Sequence, residues 1–349
     1  MPHGMTERKK KILEAVIKDY INYAEPVGSR ALSRRYDLGI SPATIRNEMA
    51  DLEELGFLTQ LHTSSGRVPT QKAYRYYVDE IMQVHKLAAA IRRDIHQGFL
   101  DFSGEIDRTM NHTAKLLSNL TNYTSVVLAP RVSRFNCKYV QVIPLIRERI
   151  LIIIVTVEGM AKNVEMTLSR EITPEEAQKL SRVLNSLLKN IAFQELSGDL
   201  VDEIQELTMD ETDLLREIMP VLKETLLSEA STVHADGMTN LFNYPEFNDA
   251  DGIKKVVNVV NEKSLLAGLL TSGEAQDQTQ TLRVTIGSEN DNADLNEFSI
   301  MTTTYEVSGQ TVGAFGIIGP TRMDYAGVSA VLEAIRQELN ENIAKMLGE

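Results

Sequence analysis

Residues 41–58 read SPATIRNEMADLEELGFL, and the order of their charges is the reverse of what a helix needs for its own stability. Ser41 is a good N-cap, Pro42 suits the first helical position because its missing N–H would have no partner there, and Gly56 is a suitable stop. One helix is therefore predicted between them. A helix dipole favours acids in the first turn and bases in the last. Here Glu48, Asp51, Glu53 and Glu54 all fall in the second half, and the first turn carries no acid. The positive end is left open for something anionic.

Angular position sharpens this reading. Ile45, Met49, Leu52 and Leu55 recur at the spacing that gathers side chains into one apolar stripe facing a core. Opposite it lie Ala43, Arg46, Asn47 and Ala50, two small residues beside a guanidinium and an amide. Arg pairs with guanine and Asn with adenine in the major groove, small residues allow close approach, and N-terminal amides meet a phosphate. Arg46 and Asn47 are thus the candidates for base contact, with Ala43 for close approach and Ser41 and Thr44 for phosphate. The competing reading is a capped amphipathic helix with a solvated face.

Working outward, Thr6 can cap a helix whose apolar positions Ile12, Leu13, Val16, Ile17, Tyr20 and Ile21 recur at three and four residues, and Pro26 closes it. A short helix through Ser29 to Tyr36 and the turn Asp37-Leu38-Gly39-Ile40 lead into Ser41. Two helices joined by a glycine-bearing turn form a helix-turn-helix, whose second helix enters the major groove while the first crosses the backbone. That gives Ser29, Arg30 and Arg34 a phosphate role, against a solvated helix face as the alternative. After Gly56, FLTQLHTSSGRVPT (57–70) alternates around a turn at 63–66 and predicts a β-hairpin, a wing with His62 and Arg67 at its tip. For His62 the alternative is a half-exposed strand histidine. Thr70 then caps TQKAYRYYVDEIMQVHK (70–86), in which Lys72 is a further phosphate candidate and Tyr74 and Tyr76 are packing or surface residues.

GSRALSRRYDLGISPATIRNEMADLEELGFL (28–58) followed by HTSSGRVPTQKAYRYYVD (62–79) resembles the N-terminal signature of the HrcA family of bacterial heat-inducible transcription repressors, in the right order over about seventy residues. Farther along the resemblance is one of layout. It implies a GAF-like domain carrying an inserted dimerising domain, an inverted-repeat operator called CIRCE at chaperone genes, and activity modulated by the GroE chaperonin (GroEL/GroES).

The chain as a whole, 349 residues with 43% hydrophobic content, suits two or three globular domains. Its net charge of −13 would repel a polyanion if evenly spread. It is not: residues 1–78 hold 12 lysines and arginines against 9 acids, or +3, leaving 24 against 40, or −16, in the remainder. Only the first segment suits DNA, and the acidic remainder is repelled from it. A single cysteine, Cys137, rules out an internal disulfide and suits a reducing cytoplasm. The start, MPHGMTERKKK, lacks a secretory h-region, Met5 is an alternative start, and no apolar run reaches the length of a membrane span, so a soluble cytoplasmic protein is expected.

Residues 86–120 predict a helical connector, and SVVLAPR (125–131) a buried strand. KYVQVIPLI, ILIIIVTV and NVEMTLS, on short connections, predict a three-stranded antiparallel meander. Thr173-Pro174-Glu175-Glu176 supplies a capping box to a helix with Leu180, Val183, Leu184, Leu187, Leu188 and Ile191 on one stripe, and further helices are expected at 199–209 and 211–230. A helix at 253–270, three late strands (TLRVTIGSE, EFSIMTTTYEV, TVGAFGIIG) and a closing helix at 325–347 follow. The strand at 125–131 lacks early partners and is expected to join the late ones. The expected fold is α+β and multidomain: a winged helix-turn-helix at 1–85, a discontinuous GAF-like α/β domain at 86–131 and 235–349, and an inserted α+β dimerising domain at 132–234. Three sequential domains remain an open alternative. ILIIIVTV (150–157) reads as a strand buried on both faces and, exposed before its sheet is complete, as an aggregation hazard and a candidate chaperonin-sensitive element.

Catalysis finds little support. Cys137 lacks a nucleophile signature, the histidines at 3, 62, 85, 96, 112 and 234 lack ligand spacing, and the glycines at 309, 313, 316 and 319 lie in or beside strands without the context of a dinucleotide site. No cofactor, metal or membrane partner is expected. The expected function is a homodimeric repressor on double-stranded DNA; the alternative is a winged-helix repressor controlled by a small effector in the GAF-like domain.

Overall fold

The computed structural model describes residues 4–61, 66–83, 87–100, 106–130, 136–157, 161–189, 212–227, 232–271, 282–307 and 310–346. It begins with α1 (Glu7–Tyr23), α2 (Ser29–Arg35), α3 (Pro42–Glu54), the short strands β1 (Leu58–Gln60) and β2 (Arg67–Pro69), and α4 (Gln71–Tyr76), which continues as a π-turn over Tyr77–Ile81. Thr6, Ser41 and Thr70 each cap the following helix by accepting from a backbone N–H three residues on. β1 and β2 pair antiparallel, Leu58 opposite Pro69, so helix, helix, helix, wing and helix follow in the expected order. His62 and the expected wing tip lie outside the described residues, as does the helix expected at 199–209.

α5 (Ala89–Leu100) and α6 (Ile106–Thr121) lead to β3 (Thr124–Leu128). That strand pairs with the late strand β10 (Gln310–Pro320) on one side and with β7 (Val233–Asp236) on the other. With β8 (Leu282–Ile286) and β9 (Phe298–Val307) they form a five-stranded sheet of order β7-β3-β10-β9-β8, and α11 (Tyr325–Met346) packs on β9 and α6. The helix expected at 253–270 is two, α9 (Ala250–Asn261) and α10 (Lys263–Thr271). The break is at Glu262, whose ψ of 85° leaves the helical region without a glycine or proline to announce it.

Between β3 and β7 lies a separate unit. β4 (Cys137–Pro144), β5 (Arg149–Thr156) and β6 (Ala161–Thr167) form an antiparallel meander, with α7 (Pro174–Leu188) and α8 (Thr212–Leu227) contributing to its core. Thr173 and Glu176 make the reciprocal capping box that opens α7. The expectation that β5 is buried on both faces is corrected. Ile150, Ile152 and Ile154 are buried with α7 and α8, whereas Leu151, Ile153 and Val155 are only half-buried. The cause is layering: the helices packed on this sheet lie on one side. Cys137 lies on the edge strand β4 with its thiol buried and pushed up to about 11, as an inert structural cysteine would be.

Among the described residues the buried apolar side chains form two clusters. One runs continuously from the winged helix into the five-stranded sheet, and the other belongs to the meander unit alone. Tyr74 and Tyr76 are buried in the first, Tyr74 against Tyr325 with ring centroids 5.9 Å apart. The Arg322 guanidinium donates to the Ile21 carbonyl at 3.1 Å while pairing with Glu246.

Candidate nucleic-acid interface

α3 ends in a Schellman geometry: the Gly56 N–H donates to Glu53 O and the Phe57 N–H to Leu52 O, both at 2.9 Å, with Gly56 at φ +78°. Ile45, Met49 and Leu52 point into the core, which fixes the rotation of the helix. Ala43, Arg46 and Asn47 are exposed as a consequence, and Ala50 is half-buried. Arg46 and Asn47 have no hydrogen-bonding or ionic partner among the described residues. Ser41 Oγ accepts from the Thr44 N–H at 3.1 Å and lies 3.0 Å from the Thr44 hydroxyl, so the helix start is ordered by its own side chains.

Three of the four acids at the other end, Glu48, Asp51 and Glu53, have partners, and Glu54 is exposed. Lys9 of α1 reaches both Glu48, at 3.1 Å, and Asp51, at 2.9 Å, and Arg8 comes within 3.4 Å of Glu48. The Asp51 and Glu48 carboxylates hold the Lys9 ammonium above its usual range. Glu53 pairs with Arg67 of the wing at 2.8 Å. The Lys72 ammonium donates to the Leu55 carbonyl at 2.7 Å and lies 4.6 Å from the Phe57 ring centroid. Arg67 and Lys72, expected at phosphate, thus hold the C-terminal end of α3 within the chain. The Arg67 backbone also bridges Val27 reciprocally at 2.9 Å, which joins the wing to the segment between α1 and α2.

α2 shows the same division. Arg30 and Arg34 are exposed and without ionic partners among the described residues, and Ser29 is half-buried at the helix start. Arg35 instead pairs with the buried Asp19 at 2.8 Å and covers the Tyr23 ring at 4.1 Å; the Asp19 hydrogen bond raises its pKa. A polar depression lined by Arg34, Gly39 and Ser41 opens between α2 and α3. Sequence reasoning missed the roles of Lys9, Asp19 and Arg35, because their partners lie 16 to 42 residues away and no local pattern marks such a pair.

The model for the winged helix-turn-helix DNA-binding domain of the transcription repressor HrcA matches residues 4–82, and that for the HrcA C-terminal domain matches residues 107–328. The heat-inducible transcription repressor HrcA of Alkaliphilus metalliredigens is 39% identical over 338 residues, which cover 97% of each chain. That of Clostridium tetani is 38% identical over 343 residues, covering 97% of this chain and 95% of the relative. The crystal structure of a hypothetical protein at 2.2 Å resolution shares the fold, with a TM-score of 0.63 and 22% identity over 98% of this chain and 99% of that one. Among the described residues no helix is long and apolar enough to cross a membrane. A winged helix with a free polar face, and full-length similarity to named repressors, lead to one conclusion: the chain belongs to the HrcA family of heat-inducible transcription repressors, whose role is DNA binding rather than catalysis.

Proposed function

We propose that the chain is a cytoplasmic homodimer that represses chaperone operons by binding an inverted-repeat operator of the CIRCE type. The observation that carries this reading is the uncommitted Arg46–Asn47 face on a helix whose C-terminal half is held by ion pairs and a hydrogen bond. Arg46 and Asn47 read base edges in the major groove, Ala43 lets the helix approach, and Ser41, Thr44, Ser29, Arg30 and Arg34 lie along phosphates. Arg67, Lys72 and His62 complete the phosphate set from the wing side, the first two while keeping the helix end in place.

One such helix reads only a few base pairs, so useful selectivity takes two half-sites and two copies of the chain. The open face of the meander sheet suits a second copy. Leu151, Ile153, Val155, Tyr139 and Ile143 form its apolar centre, and Gln141, Asn163 and Glu165 its polar rim, the usual anatomy of an interface. On this reading residues 132–234 are the inserted dimerising domain, 86–131 and 235–349 the GAF-like domain, and 1–85 the DNA-binding domain. The same apolar face, uncovered in a monomer, is what the GroE chaperonin would recognise. Repression follows from occlusion of RNA polymerase.

Footprinting of the full chain on promoter DNA of chaperone operons, with and without purified GroEL, tests this. Protection of two symmetric half-sites, with greater occupancy when GroEL is present, is expected. A single unpaired footprint would remove the dimer, and no footprint at all would remove the repressor. Control by a small effector, the second reading, is favoured by a cavity in the sheet domain.

A further inference from the structure

α10 packs over β10, β3 and β7 of the five-stranded sheet, and a cavity of about 370 Å³ opens beside it, between the helix and strands β8 and β9. That is within the roughly 300–1,000 Å³ usual for small-molecule sites. Its walls are apolar on the helix side, from Leu265 and Leu269, and on the sheet side from Ile300, with Leu295 closing one end. The Gly268 backbone faces the same space, and a Cβ built there would meet nothing within 4 Å. The cation of the lining is Arg283 on β8, half-buried and without an ionic partner among the described residues. Glu289 is already taken up by Arg75, which leaves Asp291 at the exposed rim. A guanidinium in an apolar wall selects a carboxylate, which it can grip with two parallel N–H donors. The two acids of the lining oppose a polyanion such as a phosphate ester.

The turn from Gly287 to Asn292 has two sides. Glu289, Asn290, Asp291 and Asn292 line the cavity. Ser288 and Glu289 grip α4 of the winged helix: Gln71 Oε1 accepts from the Ser288 hydroxyl at 2.8 Å and from its N–H at 3.2 Å, and Arg75 Nε donates to Glu289 Oε1 at 2.8 Å. Arg75 also donates to the Val284 carbonyl at 2.7 Å. Asn290 keeps the turn in shape, its side-chain amide donating to Gly287 O at 2.8 Å and to Leu295 O and Phe298 O at 3.2 Å, while the Thr285 hydroxyl donates to its side-chain Oδ1 at 2.7 Å. α4 in turn carries Lys72, the residue that holds the end of the recognition helix. One short turn therefore touches the cavity on one side and the DNA-binding domain on the other.

We propose that this cavity binds a small carboxylate with an apolar body, and that its occupancy sets the DNA affinity of the winged helix through the Ser288–Glu289 grip on Gln71 and Arg75. The coupling rests on the repressor reading; the binding site does not. Coupling of this kind is reciprocal, so ligand and DNA must change each other's affinity by one factor.

The test is calorimetry on the full chain with 3-phenylpropanoate and 4-methylpentanoate, with 4-methylpentan-1-ol as the neutral match. Both acids bind and the alcohol binds about tenfold more weakly or worse, the loss expected when a charge-assisted hydrogen bond is missing. Arg283→Met removes the charge. Gly268→Leu fills the space without straining the fold, since its Cβ is unobstructed and leucine is the better helix former. Each weakens both acids by about tenfold or more. In operator titrations, saturating acid shifts the DNA affinity of the original chain, and Gln71→Ala, which cuts the grip on Ser288 but leaves Glu289 paired with Arg75, binds the acid with a diminished shift. Acids that fail to bind at millimolar concentration, or that bind both cavity variants undiminished, overturn the site. Binding that leaves operator affinity unchanged overturns the coupling. A ligand-free chain that ignores operator DNA overturns the repressor reading, and calorimetry still judges the cavity.

Discussion

The two ends of the recognition helix differ in how they are held. From Glu48 onward α3 is gripped from three elements: by Lys9 of α1, by Arg67 of the wing and by Lys72 of α4 on the Leu55 carbonyl at its C-cap. Before Glu48 it is held only by its buried stripe and its own cap, and Ala43, Arg46 and Asn47 face outward with nothing to bind among the described residues. The reversed charge order of α3 thus has a physical cause. Acids in the second half are unfavourable for the helix dipole but supply the ion pairs that aim the helix, and their absence from the first turn leaves the positive end of the dipole uncompensated by a carboxylate of its own.

The largest effect that would break this division is in the held half. Leu52→Ala removes a fully buried side chain and should cost about 2–5 kcal/mol of stability in urea melts. The folded fraction should still rank operator sequences in the original order; a changed ranking would mean that the held half also reads bases. Arg46→Ala is the counterpart in the free half. An exposed, unpartnered side chain contributes within about 0.5 kcal/mol to stability, whereas loss of a bidentate base contact costs about 1–3 kcal/mol at one position of the site. Competition assays over single-base operator variants would show it, and an equal weakening on every sequence would instead place Arg46 on phosphate.

Signals that act within a few residues made much of this legible. Ser41, Pro42 and Gly56 bounded α3, Thr173 with Glu176 opened α7, and 100° spacing identified Arg46 and Asn47 as outward facing. Polar connections at short range were enough to predict the β4–β6 meander. The burial of β5 was not legible, because alternation needs polar residues to mark the open face and ILIIIVTV offers only Thr156. Nor was the break at Glu262, where the chain leaves the helix without a residue that demands it. The intramolecular roles of Arg67 and Lys72 were hidden for another reason. A cation on a surface element reads the same whether its anion is a phosphate or a neighbouring carbonyl, and only the folded chain brings Glu53 and Leu55 beside them.

The smallest effect is the most discriminating. Lys9→Met removes the ammonium between Glu48 and Asp51 but keeps an unbranched apolar stem to pack beside α3. The Lys9 and Glu48 side chains are only 13% and 14% exposed, whereas Asp51 is 55% exposed, so one pair is partly shielded and the other is largely solvated. Largely solvated pairs contribute from nothing to about 1 kcal/mol, and the expected loss of stability stays near the upper end of that range. It should shrink as salt is added, because screening weakens the pairs in the original chain while leaving the variant nothing to lose. On DNA the two freed carboxylates add negative potential near the helix, so binding should weaken on every sequence alike, most at low ionic strength. Base preference should not move. If Lys9→Met instead altered preference at the base position assigned to Arg46, the lysine would be setting the reading geometry directly, and the two ends of the helix would be one device rather than two.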